Sequence, residues 1–332
     1  MTKTILIITD NLKDQINGVV TTYKNIEICA VRDGYNIVVL DPGWFSYIDC
    51  PGYNEVKIAY PRNMGKKIAS VHPDYIHIAT EGPLGLWARA YLSLAGIRHN
   101  TAYHTKFPEG LKKLFGIPEF ITWRFVRWFH KHSGKVLTTT DSMVAELKAH
   151  GFDGEVIPWT RGVDREIFYP VKHKRNKRPV LVCVARVSKE KNLEKFFELE
   201  YTGARKIMVG DGPMLETYKK QYPDVEFVGF KTGTELADYY RMADVFVFPS
   251  EWETFGIVMI EAMACGTPVA AYPVQGPMDV VDEGITGCLN TDLKQAVKDA
   301  LMLDRNQVWA GSQRWSWERA WQIFRDNLIS CK

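Results

Sequence analysis

The 332-residue chain reads as an α/β protein of two Rossmann-like, doubly wound parallel-sheet domains. Three observations point there. Short apolar runs of β-forming residues alternate with helical stretches from end to end, the pattern of parallel strands joined by crossover helices. The length exceeds one ordinary core and fits two domains of about 150 residues. Between the halves, Tyr169-Pro-Val-Lys-His-Lys-Arg-Asn-Lys-Arg-Pro179 is basic and bracketed by prolines, so it reads as a solvated, extended linker. Its cations would also suit anionic lipid headgroups.

The elements follow in order. Thr4–Thr9 is an apolar strand that closes in a polar turn at Asp10. The same run character predicts strands at Asn36–Leu40, Tyr75–Ala79, Asn100–Tyr103, Lys135–Thr139 and Glu155–Ile157. Helical spacing predicts Val19–Arg32, Leu84–Ala95, Glu119–Lys131 and Ser142–His150 between them. This first domain is expected to span residues 1–168, with 169–179 as the linker. In the domain 180–314, strands are predicted at Val180–Ala185, Lys206–Val209, Val225–Val228, Val245–Phe248 and Val269–Ala271. The fourth of these is a run of β-formers ended by Pro249. Helices are predicted at Leu193–Leu199, Met214–Gln221, Thr234–Met242, Ile257–Cys265 and Leu293–Leu303. Gly266 and Pro268 close the apolar helix at Ile257. The last helix, Trp315–Ile329, carries Trp315, Trp317, Trp321, Phe324 and Leu328 at helical spacing, a stripe expected to pack.

Composition excludes several classes. Hydrophobic residues make up 46% and charged residues 24%, ordinary for a soluble globular protein. A formal charge of +3 promises no broad basic face, so no nucleic-acid partner is expected. Cys29, Cys50, Cys183, Cys265, Cys288 and Cys331 show no C-x-x-C spacing and read as reduced core thiols of a cytosolic protein. No apolar run approaches the ~18 residues of a bilayer span, and the N-terminal strand lacks a signal-peptide pattern. The expected location is cytoplasmic, at most peripheral at the inner membrane face.

Two oddly placed carboxylates carry the chemistry. Glu253 lies in the loop before the Ile257 helix, and Glu261 lies within that helix. Ile257, Ile260, Glu261 and Ala264 share one helical face, so Glu261 points where the helix packs. An unpaired carboxylate there costs several kcal/mol, so an Arg, a Lys or a ligand hydroxyl must meet it. At Thr254-Phe255-Gly256-Ile257 the helix start offers free N–H groups and a dipole that attract an anion. Other unusual residues gather at strand ends, where open α/β sheets bind ligands. Arg186-Val-Ser-Lys-Glu-Lys191-Asn192, Gly210-Asp-Gly-Pro213 and Gly229-Phe230 follow successive strands. Arg186 and Lys191 suit a diphosphate, one through its planar fork and the other as a mobile point charge.

These motifs resemble the donor half of a family 4 glycosyltransferase with the GT-B fold, two Rossmann-like domains facing a cleft. Asn17-Gly18-Val-Val-Thr-Thr22, Thr80-Glu-Gly-Pro-Leu-Gly85, His104-Thr-Lys-Phe-Pro108 and Arg161-Gly-Val-Asp164 are similar to the first half of the same family, in order. Within it the chain looks most like GDP-mannose-dependent mannosyltransferases and sulfoquinovosyl-type, lipid-directed transferases.

The resemblance implies transfer of a sugar from a nucleotide-diphosphate sugar to an acceptor hydroxyl, with retention. GDP- or UDP-sugar would be a substrate, with no separate cofactor. Arg186 and Lys191 would hold the diphosphate and stabilise the leaving nucleotide. Glu253 would bind hydroxyls of the transferred sugar and Glu261 those of the ribose. Thr254, Phe255, Gly256 and Ile257 would meet phosphate through the backbone, Gly229 and Phe230 would lie near the base, and Gly210 would belong to the donor loop. Gly18 would let the first loop approach the diphosphate, and His104 would sit near the reacting sugar. The last helix would cross back to the first domain.

No Asp-x-Asp pair occurs, in keeping with metal-independent chemistry and no metal ligands. Two departures stand out. Gln275-Gly276-Pro277 replaces the family's glycine pair, and Glu109-Gly110 ends a motif that often carries an aromatic residue. The acceptor, a lipid or a glycan, stays open. The aromatic and basic segment Leu111 to Lys131 suits either a packed helix or an anionic membrane surface. A GT-B epimerase or phosphorylase, and a non-catalytic sugar-nucleotide-binding protein, remain as alternatives.

Overall fold

The computed structural model describes every residue except 1, 16, 51, 52, 175 and 332. It divides into two compact units, Met1–Arg161 with Trp317–Lys332, and Gly162–Ser316.

In the first unit the strands are β1 (Lys3–Ile8), β2 (Tyr35–Leu40), β3 (Ser46–Cys50), β4 (Tyr53–Tyr60), β5 (Tyr75–Ile78), β6 (Asn100–Tyr103), β7 (Val136–Thr138) and β8 (Val156–Pro158). Six of them form one sheet in the order β2-β1-β5-β6-β7-β8, paired in parallel throughout. Ile5 to Ile8 of β1 are fully buried, as a central parallel strand covered on both faces requires. The remaining two, β3 and β4, make an antiparallel hairpin that the sequence reading left out. Helices Met64–Val71 and Phe107–Phe115 were also unread. Both are short, and little helical periodicity accumulates over eight or nine residues.

The C-terminal helix, Trp317–Asp326, belongs to this unit and starts two residues later than its aromatic stripe suggests. Trp321 and Phe324 are buried, and Trp321 Nε1 donates to Asp33 Oδ2 at 2.7 Å. In the helix Glu119–His130, Thr122, Trp123, Val126 and Phe129 face the core, while Phe120, Ile121 and Trp128 stay exposed. Part of the segment before it falls outside the described residues, namely the side chains of Lys113, Leu114 and Phe115.

The second unit holds β9 (Val180–Val184), β10 (Arg205–Val209), β11 (Val225–Gly229), β12 (Val245–Phe248), β13 (Val269–Ala271) and β14 (Gly287–Leu289). They form a parallel sheet in the order β11-β10-β9-β12-β13-β14. The three-residue β14 and the helix Arg305–Ser312 are additions to the sequence reading.

The stretch expected to be a free linker lies within this unit. His173 Nε2 meets Asp244 Oδ1 at 3.0 Å, Asn176 Nδ2 donates to Asp244 Oδ2 at 2.9 Å, and Arg241 stacks on the Tyr169 ring. The reason is Asp244, buried at the foot of β12, whose carboxylate needs these donors. Burial pushes its carboxyl up, but the N–H of Val180 and the side chains of Asn176 and His173 outweigh that and hold it below the usual range. Arg175 falls outside the described residues. Cys29, Cys183, Cys265 and Cys288 are buried free thiols, Cys331 is half-buried, and the Cys50 side chain is not among the described groups.

Candidate active site

The chain leaves β9 toward β10 and β11 on one side, then returns to β12 on the other side of β9. The place where strand order reverses is thus between β9 and β12, and the two loops leaving their carboxyl ends meet there. The β9 loop carries Arg186 and Lys191; the β12 loop carries Glu253. Lys191 Nζ lies 3.1 Å from Glu253 Oε2, and the Thr254 N–H donates to Oε1 at 3.0 Å. Burial pushes the Glu253 carboxyl up, but the Lys191 ammonium and the N–H groups of Thr254 and Phe255 pull harder and keep it below the ordinary value. The Glu253 carboxylate in turn raises the Lys191 ammonium. Both partners keep about a quarter of their side-chain surface in solvent (26% and 22%), so a ligand can reach them. Arg186 is exposed just past the end of β9.

The glycine residues around this pair serve mainly to close loops on one another. A Cβ on Gly210 would fall on the Ala185 carbonyl oxygen, and one on Gly212 would lie 2.5 Å from Val187 O. The β9 and β10 loops can therefore pack only with glycine there. Bonds from Val187 N to Asp211 O (2.8 Å) and from Met214 N to Val187 O (3.0 Å) lock them together. Gly229, at φ +74, has open space around it, and Phe230 beside it is exposed.

Gly256, at φ +82, starts the helix Ile257–Ala264. Phe255 is a core residue with its ring edge-on to Trp315 at 5.3 Å, so only its backbone can serve a ligand. One expectation changes here: the Thr254 and Phe255 N–H groups, read as phosphate donors, bond the Glu253 carboxylate in this structure.

Glu261 is met by neither Arg nor Lys among the described residues. Its partner is the buried Tyr240 hydroxyl, which donates to Oε2 at 3.0 Å. That single bond does not offset burial, and the carboxyl is pushed up to about 7. Such a group gains from any further donor that stabilises its charged form.

In the first unit, His104 follows β6 and is buried. Arg161 Nη2 lies 2.9 Å from its Nδ1, and Tyr23 Oη lies 3.1 Å from its Nε2. Guanidinium only donates, so Nδ1 accepts and the proton of the neutral ring sits on Nε2. The Tyr23 hydroxyl accepts a hydrogen bond from that N–H and donates its own to His77 Nε2 at 2.7 Å. Burial, then the Arg161 charge, drives His104 well below its usual pKa, and burial drives His77 down to about 3. Read from sequence as a residue beside the reacting sugar, the His104 ring instead has both nitrogens committed to protein side chains.

Gly18 opens the helix Gly18–Arg32 behind Asn17, whose side chain caps the N–H groups of Val19 and Val20. A residue not singled out from sequence is Asp10, past the end of β1. It accepts from Thr80 Oγ1 and Leu84 N, both at 2.7 Å, and so caps the helix Pro83–Leu94. A Cβ on Gly82 would lie 2.5 Å from Asp10 Cγ, so glycine leaves room for that carboxylate, a contact between distant segments that local sequence does not signal. Among the described residues, no group of three or more His, Cys, Asp or Glu is placed to hold a metal ion. No helix among them is long and apolar enough to cross a membrane.

Comparison with known proteins bears on the family and the fold. The sequence model described as Glycosyltransferase Family 4 matches residues 16–167, and that described as Glycosyl transferases group 1 matches residues 164–302. A GDP-mannose-dependent alpha-mannosyltransferase of Mycobacterium tuberculosis is 27% identical over 98% of this chain and 95% of its own length. The sulfoquinovosyl transferase SQD2 of Arabidopsis thaliana is 30% identical over 72% of this chain and 51% of that protein. Among solved structures, sucrose-phosphate synthase of Thermosynechococcus elongatus superposes with a TM-score of 0.79 at 20% identity, covering 98% of each chain. With both halves matched in order and the same two-sheet architecture, this chain is a glycosyltransferase of family 4 with the GT-B fold.

Proposed function

We propose that the enzyme transfers a sugar from a nucleoside diphosphate sugar to a hydroxyl of a lipid or glycan, with retention at the anomeric carbon and without a metal ion. The observation that carries this reading is the Lys191–Glu253 pair at the strand-order reversal of the second sheet, flanked by exposed Arg186. Lys191 and Arg186 supply the positive charge that a departing diphosphate needs. Glu253 then turns from its lysine to hydroxyls of the sugar, and the loop N–H groups it holds become free for phosphate oxygens. Glu261, met by no cation among the described residues, takes the ribose hydroxyls, and exposed Phe230 offers a face to the base.

A relative named for GDP-mannose makes that donor the first to try, and its name as an alpha-mannosyltransferase favours an α product. The lipid option draws on Phe120, Ile121 and Trp128, exposed beside Arg124 and Arg127 on one helix. It would place the enzyme at the cytoplasmic face of a membrane, and cosedimentation with anionic vesicles at low salt tests that.

Activity is tested with GDP-mannose, UDP-glucose and UDP-sulfoquinovose, reading nucleoside diphosphate release with and without EDTA. One donor should turn over in EDTA, and Arg186→Ala and Glu253→Gln should each lower turnover at least about a hundredfold. Full activity in both variants overturns the site. NMR of the product's anomeric proton decides retention.

A further inference from the structure

The first sheet repeats the design of the second. From β1 the chain goes to β2 on one side and later returns to β5 on the other, so strand order reverses between β1 and β5. The loops at the carboxyl ends there carry Asp10 and Glu81. Ligands are expected at such a place, and the readings above give Glu81 no role there.

Within Thr80-Glu-Gly-Pro-Leu-Gly85, four neighbours of Glu81 have a structural duty. Thr80 bonds Asp10, Gly82 abuts it, Leu84 is fully buried, and Gly85 leaves room for the Thr80 carbonyl. Asp10 is itself spent on the helix start. Glu81 differs. Its side chain is only 10% exposed, yet Oε1 accepts no hydrogen bond among the described residues; His130 Nε2 lies 3.4 Å away, within ion-pair reach but outside hydrogen-bond geometry. His130 cannot turn freely toward it, because Nδ1 is engaged with Thr101 Oγ1 at 2.7 Å. A carboxylate buried at a rim without its hydrogen bond is costly unless a ligand completes it.

We infer that Glu81 is an acceptor-binding residue, accepting a hydrogen bond from a hydroxyl of the acceptor at the strand-order reversal of the first sheet. This rests on the transferase reading above. A sugar hydroxyl and a glycerol hydroxyl share the required chemistry, and two probes separate them: n-octyl α-D-mannoside, and dioleoylglycerol in phosphatidylcholine vesicles.

The test compares the wild-type enzyme with Glu81→Gln and Glu81→Ala on both probes, alongside the rise in melting temperature given by the nucleotide sugar. The expected result is an acceptor KM raised at least about tenfold in both variants for the accepted probe, the loss of one charge-assisted hydrogen bond. The donor KM and the donor-induced rise in melting temperature stay near wild type. A merely structural role would lower the melting temperature and leave the acceptor KM within twofold, which overturns the inference. Failure of the wild type to use or bind either probe, with donor protection intact, overturns it too. Loss of donor protection in the wild type would instead sink the transferase reading.

Discussion

Glu261 holds its proton to about pH 7, against an ordinary 4.5, because burial outweighs its one hydroxyl partner. Between those values the folded state binds more protons than the unfolded one. This contribution to stability is therefore complete below pH 4.5 and is lost as pH rises through 7, by at most about 1.4 kcal/mol per pH unit. Ribose hydroxyls would favour the charged form, so nucleotide binding should strengthen from pH 6 to 8 and release a proton. Calorimetry in buffers of different ionisation enthalpy reads that proton, and Glu261→Gln should abolish the pH dependence. His77 works in the opposite sense. Its pKa, lowered from 6.5 to about 3, makes stability fall as pH drops below 6.5, because the unfolded ring charges first. Imidazole NMR should show neither His77 nor His104 titrating between pH 5 and 8. Glu261 was legible in sequence as a charge needing a partner; the His77–Tyr23–His104–Arg161 chain was not, because its members come from four separate segments.

At the scale of elements, the loops of the second sheet are held by glycine for two different reasons. Gly210→Ala drives a methyl into the Ala185 carbonyl, so the β9 and β10 loops must part, costing about 1–3 kcal/mol and raising the donor KM. Gly229→Ala meets nothing and pays only for its left-handed backbone, about 1 kcal/mol. Denaturant unfolding of the two variants should show that order. Long strands and most helices were readable to within a residue or two because period and apolar runs accumulate over them, while the helices predicted to run to Leu303 and Ile329 stop three residues earlier, at Ala300 and Asp326. The β3–β4 hairpin, β14 and the short helices gave too little pattern. The linker misled because its charges look solvated, while Asp244, which anchors it, lies some seventy residues away.

At the scale of the molecule, two parallel sheets each present polar residues where their strand order reverses, Lys191 and Glu253 in one, Asp10 and Glu81 in the other. Alternating strands and helices made both sheets legible, but strand order is set by which strands pair, and composition does not reveal pairing. The central claim is that the donor binds at the reversal in the second sheet. Hydrogen–deuterium exchange with GDP-mannose, UDP-glucose and the free diphosphates tests it most directly. At least one donor should slow exchange in 186–192 and 254–259, and Glu253→Gln should weaken that protection. Protection confined to other segments, or unchanged exchange in these two with a donor that the enzyme demonstrably turns over, would contradict it.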